Sequence, residues 1–353
     1  MVAPDGPLWN LSFAALVTVP GAAPRFLGLE KSILYAPSFS VFVEMRAESS
    51  PVEAGQQAKS GAPPRNHLIV GNPLLTGAGG GAPGGPADPT LPSGSFPPLP
   101  NAAAEAVEVG RVYGVRPLLG AAATEPAVRA LLERADIIHL AAHGVLQANA
   151  MSSGILLASP ASRSAAPGGA GTRGGGSGPA GAAGKPATRG ANPAPRAIAG
   201  DRANSDMDGF LQAWEIQSQF RLRARLVVLS ACDSAGGAEL AGEANIGLTR
   251  ALQAAGARTV VASRWTVEDT ATKSLMVALH RGLGKQMACD EALRQGMQAV
   301  AQKPDWSHPY FWAAFACLGD SGAAGTPTEP RPRNRAGGGG PASHKKWWGT
   351  ARR

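Results

Sequence analysis

Two reactive side chains follow short apolar runs in this chain of 353 residues. The stretch 135–144 reads ADIIHLAAHG and brings His143 to its end, and the stretch 225–237 reads RLVVLSACDSAGG and brings Cys232 to its middle. A thiol attacks a carbonyl carbon only as the thiolate, and a neighbouring imidazole makes that form accessible near neutral pH. The pair therefore predicts a Cys/His dyad in which Cys232 is the nucleophile and His143 is the base that later protonates the leaving amine.

Both apolar runs are typical of strands that are buried on both faces of a parallel sheet. In open α/β sheets, reactive groups collect beyond the carboxyl ends of the strands, which is where these two residues stand. Strands alternate with amphipathic segments along the rest of the chain, so the expected fold is α/β, a mostly parallel sheet with helices on both faces. Helices are predicted over 102–113, 242–256, 269–283 and 290–302, and further strands over 67–73, 115–119, 259–263 and an aromatic closing segment, 309–318.

The composition divides the chain into foldable and unfoldable parts. The 46 glycines and 30 prolines cluster in 76–100, 158–205 and 321–353, which lack any apolar period, so we expect these segments to be disordered. About 250 residues remain, enough to bury the core of one α/β domain. Segment 158–205 holds six basic residues and one acidic residue, and 321–353 holds seven and one. These two segments account for the net charge of +8.

Several classes of protein are disfavoured. The basic charge lies in segments without a predicted fold, so we expect no specific nucleic-acid binding. Three cysteines without a pairing pattern fit a reducing compartment, and the expected location is the cytoplasm. No run of about 18 apolar residues is present, so neither a transmembrane segment nor membrane binding is expected. The N-terminal stretch has Asp5 and no basic flank, which argues against a signal peptide.

Four motifs resemble a known family. They are HLAAHG (139–144), VVLSACDS (227–234), GARTVVASRWTVED (256–269) and HPYFWAAF (308–315). In this order they resemble the CHAT domain, a caspase-like module that is related to separases and is often found behind tetratricopeptide repeats. Weaker matches at 32–38, 70–73 and 208–216 extend the likeness over 1–320, which leaves 321–353 as a basic tail.

The resemblance implies a caspase-like fold, a His143/Cys232 catalytic dyad and a cysteine endopeptidase acting on a protein or peptide without a cofactor. It also implies a tetratricopeptide-repeat partner, upstream in the same chain or separate. Two features depart from the family. The insertion 158–205 places Cys232 89 positions after His143, against roughly 50 in caspase signatures. The chain also begins within the family's opening strand and without helical repeats, as expected of a fragment or of a stand-alone protein.

Further site residues follow from the same motifs. The backbone amides of Gly144 and Cys232 are candidates for binding the oxyanion, since a glycine allows close approach of the chain. By resemblance to separases, Asp269 is expected to bind an Arg or Lys of the substrate, although capping a helix explains the same residue. Asp233 is the second choice for that role. Trp265 is expected to wall the pocket, with the edge of the core as the alternative.

Three other functions can be weighed from the sequence: metal binding, binding of a small ligand, and an interaction without catalysis. His139 and His143 are roughly 13 Å apart on a strand, too far to share an ion, so no metal is expected and His139 is predicted to be a hydrogen-bonded core residue. Gly236 and Gly237 lack the remainder of a phosphate-binding motif, so no phosphate loop is expected there. Cys and His stand at the strand ends where phosphate-binding glycines and hydroxyls would be expected, which disfavours a flavodoxin-like binder of small ligands. The main competing class is a catalytically silent caspase-like interaction module.

Overall fold

The computed structural model describes residues 1–40, 42–43, 66–75, 96–147, 149–159, 207–230 and 241–321, with the backbone alone for 241–246. The α-helices within these ranges include α1 (Leu27–Glu30), α2 (Pro100–Tyr113), α3 (Glu125–Leu132), α4 (Ala213–Gln219), α5 (Ala241–Ala255), α6 (Asp269–Gly284) and α7 (Cys289–Ala301). The strands are β1 (Val17–Val19), β2 (Arg25–Phe26), β3 (Leu34–Tyr35), β4 (His67–Pro73), β5 (Leu118–Gly120), β6 (Ile137–Ala141), β7 (Gly144–Val145), β8 (Gly154–Leu156), β9 (Phe210–Gln212), β10 (Leu226–Leu229), β11 (Thr259–Ser263) and β12 (Phe315–Gly319).

The central element is a seven-stranded sheet in the order β3-β12-β11-β10-β6-β4-β5. The five strands from β11 to β5 run parallel to one another, and β12 is antiparallel to β11. The chain passes outward from β4 to β5 and then returns to β6 on the other side of β4, so the strand order reverses between β4 and β6. Such a reversal opens a crevice at the carboxyl ends of the strands, and β6 leads directly to His143. The predicted mostly parallel sheet is confirmed.

Successive residues of the inner strands enter different hydrophobic clusters. Ile138, Val227 and Val260 pack with α3, α4 and α5 on one face of the sheet. Their neighbours Ile137, Val228 and Val261 pack with α6 and α7 on the other. A strand sends alternate side chains to opposite faces, so each continuous apolar run serves two cores at once. The prediction of helices on both faces is therefore also confirmed.

The closing segment differs from its prediction. Residues Pro309–Phe311 form a 3₁₀ turn, and the strand begins only at Phe315. The Nδ1 atom of His308 accepts a hydrogen bond from the amide of Tyr310, and Pro309 occupies the first position of the turn. A capped turn that begins with proline is incompatible with a strand, so the aromatic composition of 309–311 was misleading.

A second sheet, β7-β8-β9, is antiparallel and follows His143 immediately. The chain entering β9 is held by Glu125 of α3, whose side chain accepts a hydrogen bond of 2.9 Å from the amide of Gly209. In the described part of the chain, no helix has both the length and the hydropathy needed to cross a bilayer.

Candidate active site

His143 lies two residues beyond β6, at the point where the chain leaves the large sheet for the small one. All five residues of β6 are buried, so packing on both faces fixes the direction in which the chain leaves the strand toward His143. The carbonyl oxygen of His143 accepts a hydrogen bond of 2.9 Å from the amide of Leu156, and Gly144 opens β7 opposite Ile155. The backbone on either side of the imidazole is therefore held by a different sheet.

The ring of His143 is oriented by a backbone carbonyl. Its Nε2 atom lies 2.7 Å from the carbonyl oxygen of Pro97. A carbonyl oxygen can only accept a hydrogen bond, so the hydrogen of the neutral ring resides on Nε2. In that tautomer Nδ1 is the basic nitrogen, and Nδ1 is the atom that can take a proton from a thiol.

Two features of β4 hold Pro97 in place. The side-chain oxygen of Asn72 accepts a hydrogen bond of 2.8 Å from the amide of Leu99. Asn72 has a φ of 46°, a left-handed conformation that asparagine tolerates better than most residues. At Gly71 a Cβ atom would lie 2.5 Å from the Cβ of Ala106, so glycine permits the close packing of α2 on the strand. Strand β4 thus sets the position of the acceptor for His143.

The imidazole of His143 is covered from one side. Phe96 packs against it in an edge-to-face arrangement with 5.4 Å between the ring centres, and 5% of the histidine is exposed. Burial lowers the pKa of His143 below its ordinary value, while the hydrogen bond to Pro97 and the negative charge of Asp269 act in the opposite direction. The ring is therefore neutral at neutral pH and is available as a base.

The N-terminus of α6 brings acidic groups to the same region. Glu268 caps the helix, and its carboxylate accepts hydrogen bonds from the amides of Thr270 (2.9 Å) and Ala271 (2.6 Å). Glu268 thus fills the capping role that the sequence left open for Asp269, and that alternative for Asp269 is wrong. Asp269 is the first residue of the helix, is half-buried, and lies close enough to raise the pKa of His143.

Trp265 lies two residues beyond β11. Its indole N–H donates a hydrogen bond of 3.0 Å to the carbonyl oxygen of Tyr310, and its ring packs at the border of the cluster formed with α6 and α7. The expected wall of the pocket and the edge of the core are both compatible with this position, so its substrate role stays a prediction.

Cys232 and Asp233 lie outside the described residues. The described part of their strand ends beside β6: Leu229 is opposite Leu140, and the amide of Ser230 donates to the carbonyl oxygen of Leu140 at 3.0 Å. Cys232 follows Leu229 by three positions, as His143 follows Leu140.

His139 is a fully buried residue of β6, and its Nδ1 atom lies 3.1 Å from Nε2 of His280. The prediction of a hydrogen-bonded core histidine is confirmed. Among the residues that the structure describes, no group of three or more His, Cys, Asp or Glu side chains is arranged to hold a metal ion.

Sequence reasoning missed the residues that orient His143. Phe96 and Pro97 end the Gly/Pro-rich stretch that was assigned to a disordered insertion, yet Phe96 is buried and Pro97 contacts the histidine. Asn72 was noted only as part of a motif. The one available signal was the pair Asn72-Pro73 at the end of a buried strand, since such a pair marks special backbone geometry.

These features define a caspase-like α/β domain. A family described as "CHAT domain" matches residues 1–320. The chain is 27% identical over 269 residues to tetratricopeptide repeat protein 28 of Mus musculus and 26% identical over 270 residues to the protein of that name from Homo sapiens. Each match covers 74% of this chain and 10% of the relative, so the chain spans about a tenth of the length of these relatives. The chain belongs to the CHAT domain family.

Proposed function

We propose that this domain is a cysteine endopeptidase in which His143 and Cys232 carry out acyl transfer. The observation that supports it most directly is the contact of 2.7 Å between Nε2 of His143 and the carbonyl oxygen of Pro97. This contact leaves Nδ1 as the basic nitrogen of the ring, and a general base needs a defined basic nitrogen. The equal offsets of His143 and Cys232 from the paired residues Leu140 and Leu229 support the same arrangement.

The chemistry follows from this tautomer. Nδ1 of His143 takes the proton of the Cys232 thiol, and the thiolate forms a bond to the carbonyl carbon of the substrate. The resulting oxyanion is assigned to the backbone amides of Gly144 and Cys232. As the peptide C–N bond breaks, the imidazolium returns its proton to the leaving amine. Water then hydrolyses the thioester, and His143 again removes and restores the proton. The carbonyl of Pro97 and the charge of Asp269 stabilise the imidazolium.

The substrate proposed for this site has a basic residue. Asp269 carries its charge at the N-terminus of α6, and its capping duty is taken by Glu268, so the carboxylate of Asp269 is available to an Arg or Lys. Asp233 and Trp265 remain second candidates for contact with the substrate. A tetratricopeptide-repeat protein or segment is proposed as a partner because the relatives carry that name.

One observation favours a second candidate, a catalytically silent interaction module. Phe96 covers the imidazole of His143, and only 5% of that residue is exposed. A peptide must displace this cover to reach the imidazole. A module without catalytic activity would keep the fold, and burial of the His143 imidazole would not impair its function.

A peptidyl acyloxymethyl ketone with arginine next to the reactive group discriminates the two candidates. The peptidase predicts one adduct, located at Cys232 by mass spectrometry and lost in His143→Ala. The matched control is His308→Ala, because His308 is an exposed histidine that only caps a turn. A folded wild-type protein that forms no adduct, together with no cleavage of Arg- or Lys-containing peptides, would establish the silent module.

A further inference from the structure

A chain of four polar side chains, three of them buried and Tyr113 half-buried, crosses the interior beneath the candidate active site. The hydroxyl of Tyr113 on α2 lies 2.9 Å from Nδ1 of His280 on α6, and Nε2 of His280 lies 3.1 Å from Nδ1 of His139 on β6. Nε2 of His139 lies 2.9 Å from Oε1 of Glu105 on α2, although these two groups are not aligned for a linear hydrogen bond. Glu105, His139 and His280 are at most 1% exposed. We call these four side chains the buried relay.

The buried relay connects the same three elements that form the candidate site. Helix α2 begins three residues after Pro97, β6 ends two residues before His143, and α6 begins at Asp269. Helices α2 and α6 also pack against each other. A shift between any two of these elements therefore changes the distances among Pro97, His143 and Asp269.

The contact between the two imidazoles requires opposite roles of its two nitrogens, because one hydrogen lies between Nδ1 of His139 and Nε2 of His280. When Nε2 of His280 donates to His139, Nδ1 of His280 accepts the hydroxyl hydrogen of Tyr113. His280 is neutral in this arrangement.

The surroundings favour the neutral arrangement. Burial lowers the pKa of His280 well below its ordinary value, and the neighbouring His139 and His67 of β4 act in the same direction. Burial likewise raises the pKa of Tyr113, with the charge of Arg225, next to β10, opposing it and Cys289 of α7 reinforcing it.

We propose that His139 and His280 are positioning residues for the candidate active site. The hydrogen bonds of His280 to His139 and to Tyr113 set α2, β6 and α6 in register, and with them Pro97, His143 and Asp269. The inference rests on the proposed function only in treating His143 as the working base, since the geometry it concerns exists whether or not a peptide is cleaved.

Four variants separate positioning from ordinary packing. His280→Leu removes both hydrogen bonds of the second imidazole, whereas His280→Gln keeps a polar atom near His139 that cannot take up a proton. Leu279→Ala is the matched control, because it removes buried hydrocarbon from the same helix and leaves every polar member of the relay intact. Tyr113→Phe is a milder variant that deletes one hydroxyl, should His280→Leu fail to fold.

The measurement is NMR of the Nε2 proton of His143 at pH 8, assigned by its absence in His143→Gln. The wild-type protein, His280→Gln and Leu279→Ala are expected to show this proton with slow exchange. In His280→Leu, exchange should become faster by about tenfold or the signal should disappear, because the hydrogen bond of His143 to Pro97 weakens by about as much as one ordinary hydrogen bond is worth. Tyr113→Phe should give a smaller acceleration.

Three results would overturn or redirect the inference. Wild-type exchange in His280→Leu and Tyr113→Phe would show that the relay is only packing. An equal loss in His280→Gln or in Leu279→Ala would show that the hydrogen bond between the histidines does not position the site. A wild-type protein without the slow Nε2 proton would instead refute the tautomer on which the proposed function rests, which is a different failure.

Discussion

Replacing Arg129 by methionine should destabilise the domain strongly, because this guanidinium neutralises two buried carboxylates. Its Nε atom donates to Glu125 at 2.6 Å, its Nη1 to Gln219 at 2.5 Å, and its Nη2 to Glu215. The side chains of Glu125 and Glu215 are 0% and 4% exposed, and that of Arg129 is 12% exposed. Together they join α3 to α4 and to the base of the small sheet that follows His143.

The size of the effect follows from burial. Removing one partner of a buried ion pair costs about 3–5 kcal/mol, since the remaining charge has lost its counter-ion and cannot regain water. Methionine keeps most of the buried hydrocarbon, so little of the loss comes from packing. For a domain of this size each kcal/mol shifts the melting temperature by about 2–4 °C, which gives a decrease of about 10 °C.

The pH dependence has a definite sign. Burial raises the pKa of Glu125 and of Glu215 above the ordinary 4.5, and Arg129 counteracts this. A carboxyl with a raised pKa binds its proton more tightly in the folded state, so its contribution to stability is lost as pH rises from 4.5 through the folded pKa. Without Arg129 both pKa values rise further. The destabilisation by Arg129→Met should therefore be largest at pH 7 and smaller near pH 4.5.

The assay is urea and thermal unfolding of wild type and Arg129→Met at both pH values. Arg134→Met is the control, because Arg134 is exposed just beyond the same helix and its loss should cost less than about 0.5 kcal/mol. A cost of Arg129→Met below about 1 kcal/mol at pH 7, or a greater cost at pH 4.5 than at pH 7, would refute the reasoning.

Three further predictions concern the histidines. Phe96→Ala should raise the pKa of His143 toward 6.5 because burial is the main cause of its depression, and an NMR titration that shows no rise would contradict this. Asp269→Asn should lower the pKa of His143 further, since a negative charge that favours the imidazolium is removed; an unchanged titration would place Asp269 out of range. The pKa of His280 is depressed in the folded protein, so the unfolded protein binds more protons at this residue below pH 6.5. The free energy of unfolding therefore decreases as pH falls below 6.5, by up to about 1.4 kcal/mol per pH unit. His280→Gln should remove this part of the slope in unfolding experiments at pH 5–7, and an unaltered slope would assign it to other groups.

The parts of the fold that local pattern determines were predictable. Strand β11 and the helices α6 and α7 were expected within about two residues of their observed limits, because continuous apolar runs and amphipathic spacing reflect the two faces of the sheet. The core role of His139 followed from strand geometry in the same way. The positions of His143 and Gly144 at the end of β6 were also expected from the apolar run that precedes them.

Contacts between distant segments were not predictable. Pro97 contacts His143 although the two residues are 46 positions apart in the chain. Pro97 lies in a stretch without periodic apolar residues, so the local sequence around either residue does not indicate the contact. Sequence patterns locate the start of a helix only to within one or two residues. They could therefore not decide whether Glu268 or Asp269 caps α6. The turn at Pro309–Phe311 was missed because aromatic composition outweighed the proline in the sequence argument.

The most direct test of the central claim is the rate of iodoacetamide alkylation of Cys232 as a function of pH, in wild type and in His143→Ala. The thiols of Cys289 and Cys317 are buried and serve as internal references in the same digest. If His143 is the base of Cys232, the wild-type rate should have an inflection below the ordinary thiol pKa of about 8.5, and the variant should have its inflection near that value. Identical profiles for the two proteins would contradict the dyad.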